Sequence, residues 1–374
     1  MQKFINNLKP AKHLIISILC LMPAFVAFYP KTFVTIDEHD YLYNAQLIVT
    51  SDLKTDCSLN IPGQWPTNLG YCISKYNIGT SFFLVPAALT SLDYAALITF
   101  LVFIIGIIIF YRLLIIYNID KRFIYFFALF PPFIFFTRTI LSEMYSMVLL
   151  LGIFYVFLNI PRNKAYKIIA GLLITMALYV RYTNIIPIAL IGLYFIYEYL
   201  TEEGIIAFLK KYWIVHVTFV IGIISILIFN NEYYGGFFRS GYYFSSEEGS
   251  IIWGQIPAIF FKYLVLLNVF YPFGLIVLLK TNIKRKILFI ATFISVMVFY
   301  TIFKNESFPG KLSDVILGLR FLIPVYPFML LPYFYKLNEY KLFKKYRIFM
   351  YTSVAVFIIA AVLINYIHYQ FILK

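Results

Sequence analysis

Membrane-length runs of apolar residues recur from one end of this chain to the other, and that feature removes most of fold space. About 20 apolar residues make a helix long enough to cross hydrocarbon. A bilayer interior offers backbone N–H and C=O groups no water, so only helices and closed barrels can occupy it. The runs here are continuous in Ile, Leu and Phe and do not alternate, which argues against a barrel. Over 374 residues, 62% hydrophobic and 13% charged, there is too little polar side chain to cover a soluble globule. The expected fold is an all-α polytopic membrane protein.

Spans are expected near 13–29, 93–117, 122–137, 142–160, 166–181, 185–200, 212–230, 258–279, 287–303, 319–335 and 347–369, about eleven in all. The run from Ile78 to Leu92 is too short to cross and carries Pro86, so it is expected to be a re-entrant or interfacial helix leading into the second span. No internal repeat or soluble domain stands out, so residues 1–374 are expected to form a single membrane domain.

Charge orients the bundle. With the N-terminus inside, roughly two-thirds of the 31 Lys and Arg residues fall on the inner side. Of the 17 acids, only Asp120, Glu198, Glu202, Glu203 and Glu339 fall there. This predicts a cytoplasmic N-terminus, an external C-terminus and a cell-membrane location. The net charge of +14 is then topological and not the footprint of nucleic acid. Lys3, Lys9 and Lys12 precede an apolar run with no small-x-small cleavage site, which predicts a retained signal anchor.

Three outer segments have the length to carry function: about 30–92, 231–257 and 304–318. The first holds Cys57 and Cys72, which an oxidising outer compartment would allow to join; Cys20 stands alone in the first span. It also holds Asp37-Glu38-His39-Asp40, directly after the first span. Carboxylates are costly in hydrocarbon and cheap at its surface, so this cluster is either solvated loop or a site open to lipid and water. Thr35-Ile36-Asp37-Glu38 has the form of a capping box, which predicts a helix along the membrane surface with Tyr41, Leu42, Ala45 and Ile48 on one face. Capping occupies part of Glu38, leaving Asp37 as first choice for a general base, helped or replaced by Glu38.

Arg138, Arg181 and Arg320 border apolar spans on the outer side, where cations are otherwise scarce. The planar fork of Arg matches phosphate oxygens, so these three, with Lys304 and Lys311 behind them, are candidates to hold a lipid phosphate; snorkelling to headgroups is the structural alternative. Glu143, after Arg138 in a short hairpin, is either a further catalytic carboxylate or a helix-opening acid. The aromatic and glycine-rich stretch from Tyr233 to Phe244 suits a sugar face or a headgroup belt. His13, His216 and His368 are isolated, only His39 lies beside carboxylates, and no His-x-x-x-His or Cys-x-x-Cys spacing occurs, so no metal or cofactor is expected, although the sequence leaves a divalent cation near Asp37 and Asp40 open. No glycine-rich phosphate loop argues for direct use of a nucleotide.

Thr35-Ile36-Asp37-Glu38-His39-Asp40-Tyr41 after the first span resembles the first outer loop of the GT-C membrane glycosyltransferases, which include protein O-mannosyltransferases and lipid A aminoarabinose transferases. Tyr76-Asn77-Ile78-Gly79-Thr80 before Leu84-Val85-Pro86 is similar to that group's Tyr-x-x-Gly approach to the second span. Leu141-Ser142-Glu143-Met144-Tyr145 resembles its acidic opening of the fourth span, and Gly318-Leu319-Arg320-Phe321-Leu322-Ile323-Pro324-Val325-Tyr326-Pro327 its late Arg-aromatic-Leu-x-Pro segment. The likeness implies a GT-C-like fold and a sugar donor on a polyprenyl monophosphate. It also implies transfer on the extracytoplasmic face to a glycan, lipid or protein acceptor, with inversion. Unlike the better-known members, the sequence is expected to carry no large C-terminal extracytoplasmic domain after the eleventh span, so the resemblance leaves the acceptor unspecified. Two other classes share some of these features: a transporter or flippase of lipid-linked sugars, and an O-antigen ligase or polymerase. Transporters favour repeats and charges deep within spans, whereas charges here collect at span ends.

Overall fold

The computed structural model describes residues 11–30, 33, 35–50, 52–160, 164–244, 253–302 and 319–372. The first helices are α1 (Lys12–Ala27) and α2 (Ile36–Thr50). A short hairpin follows, β1 (Gln64–Pro66) antiparallel to β2 (Cys72–Ser74), with Trp65 opposite Ile73. Next come α3 (Gly79–Leu89), α4 (Ala95–Ile116), α5 (Ile124–Ala128), α6 (Pro131–Phe136), α7 (Ser142–Asn159), α8 (Lys164–Val180), α9 (Ile185–Glu203) and α10 (Ile205–Tyr234). The chain continues through α11 (Ile256–Phe270), α12 (Gly274–Lys280), α13 (Lys286–Ile302), α14 (Tyr326–Glu339), α15 (Leu342–Lys345) and α16 (Arg347–Ile372).

Among the described residues, four helical stretches have the length and apolarity to cross a membrane: Leu92–Ile116, Ser142–Asn159, Tyr182–Glu202 and Ile205–Tyr234. Further apolar helices are shorter, Lys12–Ala27 and Gly79–Leu89 among them. Along α10, Leu209, Trp213, Val220, Ile221 and Ile228 are all exposed, an apolar surface that suits lipid and not water. Among the described residues the fold is helical apart from one small hairpin, and its apolar helices are those of a membrane protein.

Several expected spans are broken. The stretch read as 122–137 is two short helices, because Pro131 and Pro132 open α6 and Pro has no N–H to continue the ladder from α5. The stretch read as 258–279 divides at Phe273, which takes a positive φ of 59° between α11 and α12. The one starting at 319 opens as a 3-10 helix over Leu319–Val325 before α14. The outer segment 304–318, with Lys304 and Lys311, lies outside the described residues, as do 245–252 of the segment 231–257.

The chain divides into two compact units. One comprises Met1–Pro30, Thr99–Thr139 and Trp253–Lys374. Its core is aromatic: Phe103, Phe110, Phe127, Phe130, Phe133 and Tyr326 are fully buried, with Phe110 stacked on Phe127 at 3.9 Å between ring centroids. Offset and edge-on ring packing fills the space around the short helices α5 and α6.

The second unit comprises Lys31–Ile98 and Ile140–Ile252. Helix α7 is buried on nearly all sides, packed against α8 and α9. Asn184 ties these helices together, donating to Ser146 Oγ at 2.9 Å and to the Ala177 carbonyl at 2.8 Å. Cys57 and Cys72 are joined as a disulfide, with Cα atoms 5.0 Å apart, and the bond pins the loop to β2. Helix α2 packs against α3, so the acid cluster and the hairpin belong to this unit.

Candidate functional site

The acid cluster opens α2 through a reciprocal cap. Glu38 N donates to Thr35 Oγ1 at 3.2 Å, and Glu38 Oε2 accepts from Thr35 N and Oγ1, each at 3.0 Å. Its other oxygen accepts from Ile140 N at 3.2 Å, just ahead of α7. Glu38 is buried, and both its oxygens are engaged by groups that fix the start of one helix against the start of another. Of the helix face expected from sequence, Tyr41, Leu42 and Ala45 are buried and Ile48 is half-buried.

Asp37 is half-buried and faces differently. Its Oδ1 accepts a hydrogen bond from the Tyr76 hydroxyl at 2.7 Å. Burial, then the charge of Asp37, pushes the Tyr76 hydroxyl well above an ordinary phenol, so it stays protonated and donates. Tyr41 stands beside the pair, its ring 5.6 Å from Tyr76, and it is in hydrogen-bond contact with Ser142 at the start of α7. Burial first, then Asp37, likewise raises Tyr41. Tyr242 meets Tyr76 edge-on at 6.1 Å, and Lys75 Nζ lies 5.2 Å from the centre of the Tyr76 ring.

Two glycines make this arrangement reachable. A Cβ at Gly241 would strike the backbone of Ser74 and Lys75, so glycine lets the segment bearing Tyr242 lie directly on the hairpin. A Cβ at Gly79 would strike the backbone of Tyr179 and Val180, so the start of α3, three residues after Tyr76, meets the end of α8 next to Arg181. Arg181 Nη1 is 2.7 Å from Glu143 Oε1, with Glu143 buried and Arg181 mostly so. A basic group from the end of α8 thus pairs with an acidic one from the first turn of α7.

Asp40 is fully buried, and its role is internal. It accepts from Asn44 Nδ2 at 3.1 Å and from Gln64 Nε2 at 2.8 Å, and it also meets the Ser74 hydroxyl. Burial pushes its carboxyl up to about 8, against the lowering effect of Ser74, Gln64 and Asn44. The carboxyl can stay protonated here: Ser74 Oγ is 3.0 Å from the Tyr76 carbonyl, so it can donate there and accept from Asp40.

Asp37, Glu38, Glu143 and Arg181 therefore lie in one unit. Arg138 and Arg320 belong to the other, and Lys311 lies outside the described residues. Arg138 is buried; its Nη1 donates to the Phe28 carbonyl at 2.7 Å, and its guanidinium lies 5.8 Å from the Phe28 and Phe135 ring centres. The Arg320 guanidinium lies 4.7 Å from the Phe321 ring centre. No group of three or more His, Cys, Asp or Glu side chains able to hold a metal occurs among the described residues. Sequence reasoning placed Tyr41 only on an apolar helix face and in a motif, and Tyr242 only within an aromatic stretch, and chose neither as a site residue. Tyr76 entered only through a motif, and with 33 Tyr and 41 Phe in the chain, residue type alone could not have found them.

No protein-family model matches the chain, and no curated protein matches it either. Among solved structures it is similar to the crystal structure of ArnT from Cupriavidus metallidurans bound to undecaprenyl phosphate. The TM-score is 0.58 at 14% identity, covering 88% of this chain and 60% of that one. This chain shares its fold with that structure. It spans less than two-thirds of the length of that structure, and the likeness is one of fold.

Proposed function

We propose that this protein is a membrane glycosyltransferase that moves a sugar from a polyprenyl-monophosphate carrier to an acceptor on the extracytoplasmic face. The observation that carries the reading is Asp37: a half-buried carboxylate in the first turn of α2, oriented by Tyr76, in a chain with a GT-C-like fold. That fold is shared with a protein crystallised with undecaprenyl phosphate, which supports a carrier of this class for the donor. The whole chain acts as one domain of about eleven spans, N-terminus in the cytoplasm.

In the proposed reaction Asp37 accepts the proton of the acceptor hydroxyl or amine as its heteroatom bonds to the anomeric carbon from the face opposite the phosphate. The anomeric C–O bond breaks with its electron pair leaving on the phosphate, and the configuration inverts. Guanidinium charge offsets the charge that develops on the departing phosphate. Arg181 is the first candidate, with Glu143 holding its side chain in place. Arg138, Arg320 and Lys311 are proposed as further carrier-phosphate ligands. Glu38 acts chiefly through position, since its oxygens already serve Thr35 and Ile140. No cofactor is proposed, because fixed cations can stabilise the leaving phosphate without a metal.

The test is transfer by the purified full chain in detergent, using a panel of sugars on polyprenyl phosphate and an extract of candidate acceptors. Transfer without any membrane gradient separates an enzyme from a transporter. Asp37→Asn is expected to abolish transfer while leaving the protein folded. Wild-type rates from Asp37→Asn and Glu38→Gln, singly and together, would remove the assignment of the base.

A further inference from the structure

The unit that contains α14 to α16 carries a second built feature. A cavity of about 460 Å³ is lined by Arg122, Lys341, Lys344 and Arg347, together with Asp120 and Phe343. Asp120, the one acid in this lining, holds Arg122: its Oδ1 accepts from Arg122 N and Nε, each at 3.0 Å. The same guanidinium lies 4.6 Å from the centre of the Phe343 ring. The charge of Asp120 is thereby spent on one cation and leaves the other three in excess.

Lys341, Lys344 and Arg347 are exposed, and none of them forms an ion pair among the described residues. Three like charges around one hollow repel each other, and an anion between them relieves that repulsion. Arg347 also opens the 26-residue helix α16, which adds the positive end of a long helix dipole to the same place.

The rim separates a lipid from a solute. Tyr340, Tyr346, Ile348 and Phe349 adjoin these cations in the sequence, with exposures of 55%, 57%, 84% and 67%. A dissolved phosphate gains nothing from such a collar, whereas acyl chains and glycerol bury it. Basic hollows among membrane helices are suited to acidic headgroups. We propose that this cavity binds the phosphate of an anionic lipid headgroup, with the chains of that lipid lying on Ile348 and Phe349. The proposal does not rest on sugar transfer.

The bland explanation is a basic span end that sets orientation and attracts acidic lipid diffusely. It predicts no saturable site and no dependence on these particular cations. The experiment is native mass spectrometry of the full chain in detergent, titrated with phosphatidylglycerol, with phosphatidylcholine and with inorganic phosphate. Phosphatidylglycerol is expected to saturate one site at least tenfold more tightly than phosphatidylcholine. Lys344→Ala with Arg347→Ala should weaken that binding at least tenfold, and Lys344→Arg with Arg347→Lys should restore it. Lys280→Ala with Lys284→Ala, an equal loss of charge elsewhere, should leave it unchanged. Equal binding of the two lipids, or equal loss in the control pair, overturns the proposal. If inorganic phosphate binds with the same variant dependence and phosphatidylglycerol does not compete, the cavity is a soluble-phosphate site and the lipid assignment falls.

Discussion

The hydroxyl of Tyr76 donates to Asp37 Oδ1 at 2.7 Å, joining the hairpin's exit to the first turn of α2 across 39 residues of sequence. The bond aims the carboxylate, and a hydrogen bond to a charged group contributes about 1.5–3 kcal/mol. Tyr76→Phe keeps the ring packing with Tyr41 and Tyr242 and removes only that bond. Its kcat is expected to fall by about 10- to 100-fold with little change in donor KM, because the loss is felt at proton transfer and not in carrier binding. A raised KM at unchanged kcat would mean that Tyr76 serves donor binding.

Asp40 predicts how stability depends on pH. Its carboxyl is raised from the ordinary 3.8 to about 8 by burial, so the folded state holds a proton that the unfolded state gives up. Its contribution is therefore fully present below about pH 4 and is lost as pH rises through about 8. Asp40→Asn keeps the shape without the titration. The melting temperature of the wild type should fall between pH 5 and pH 9 by more than that of Asp40→Asn, and parallel curves would show Asp40 ionised in the fold.

How much of this was legible in the residues depended on what each had to signal. Apolar length located the helices, because a membrane leaves the backbone few alternatives. Yet 122–137 hid its break in Pro131-Pro132, where composition reads as span and stereochemistry ends the helix. The capping box from Thr35 to Glu38 showed where α2 begins, since that pattern is local. The second contact of Glu38, to Ile140, joins segments 102 residues apart, and no local pattern carries it. Asp37 and Asp40 read alike as sequence. They differ because helical spacing turns Asp40 into the hairpin, under Gly63 and against Ser74, while Asp37 stays half-open beside Tyr76.

The Cys57–Cys72 bond is close in sequence to this machinery. Cys72 opens β2, Ser74 two residues later meets Asp40, and Tyr76 two residues beyond reaches Asp37. Closing a loop of this length contributes about 3 kcal/mol through the unfolded chain. Cys57→Ser with Cys72→Ser is expected to lower the melting temperature and to cut kcat more than donor KM rises. If transfer survives at full rate in the variant, the bond serves stability alone.

Glu143 and Arg181 pose a question of division of labour. Their 2.7 Å ion pair is largely buried, so removing one partner leaves an uncompensated charge, a loss of about 3–5 kcal/mol. Arg181→Ala should therefore destabilise strongly, and adding Glu143→Ala should recover much of the stability, as a double-mutant cycle on thermal unfolding would show. Activity should behave otherwise. If Arg181 neutralises the departing phosphate, the doubly substituted protein regains its fold but not its kcat, because no cation returns to the site. Arg181→Lys keeps the charge and loses the planar fork, so it should sit between wild type and Arg181→Ala in kcat. Recovery of transfer together with stability in the double variant would assign the pair to structure only and leave the phosphate to other cations.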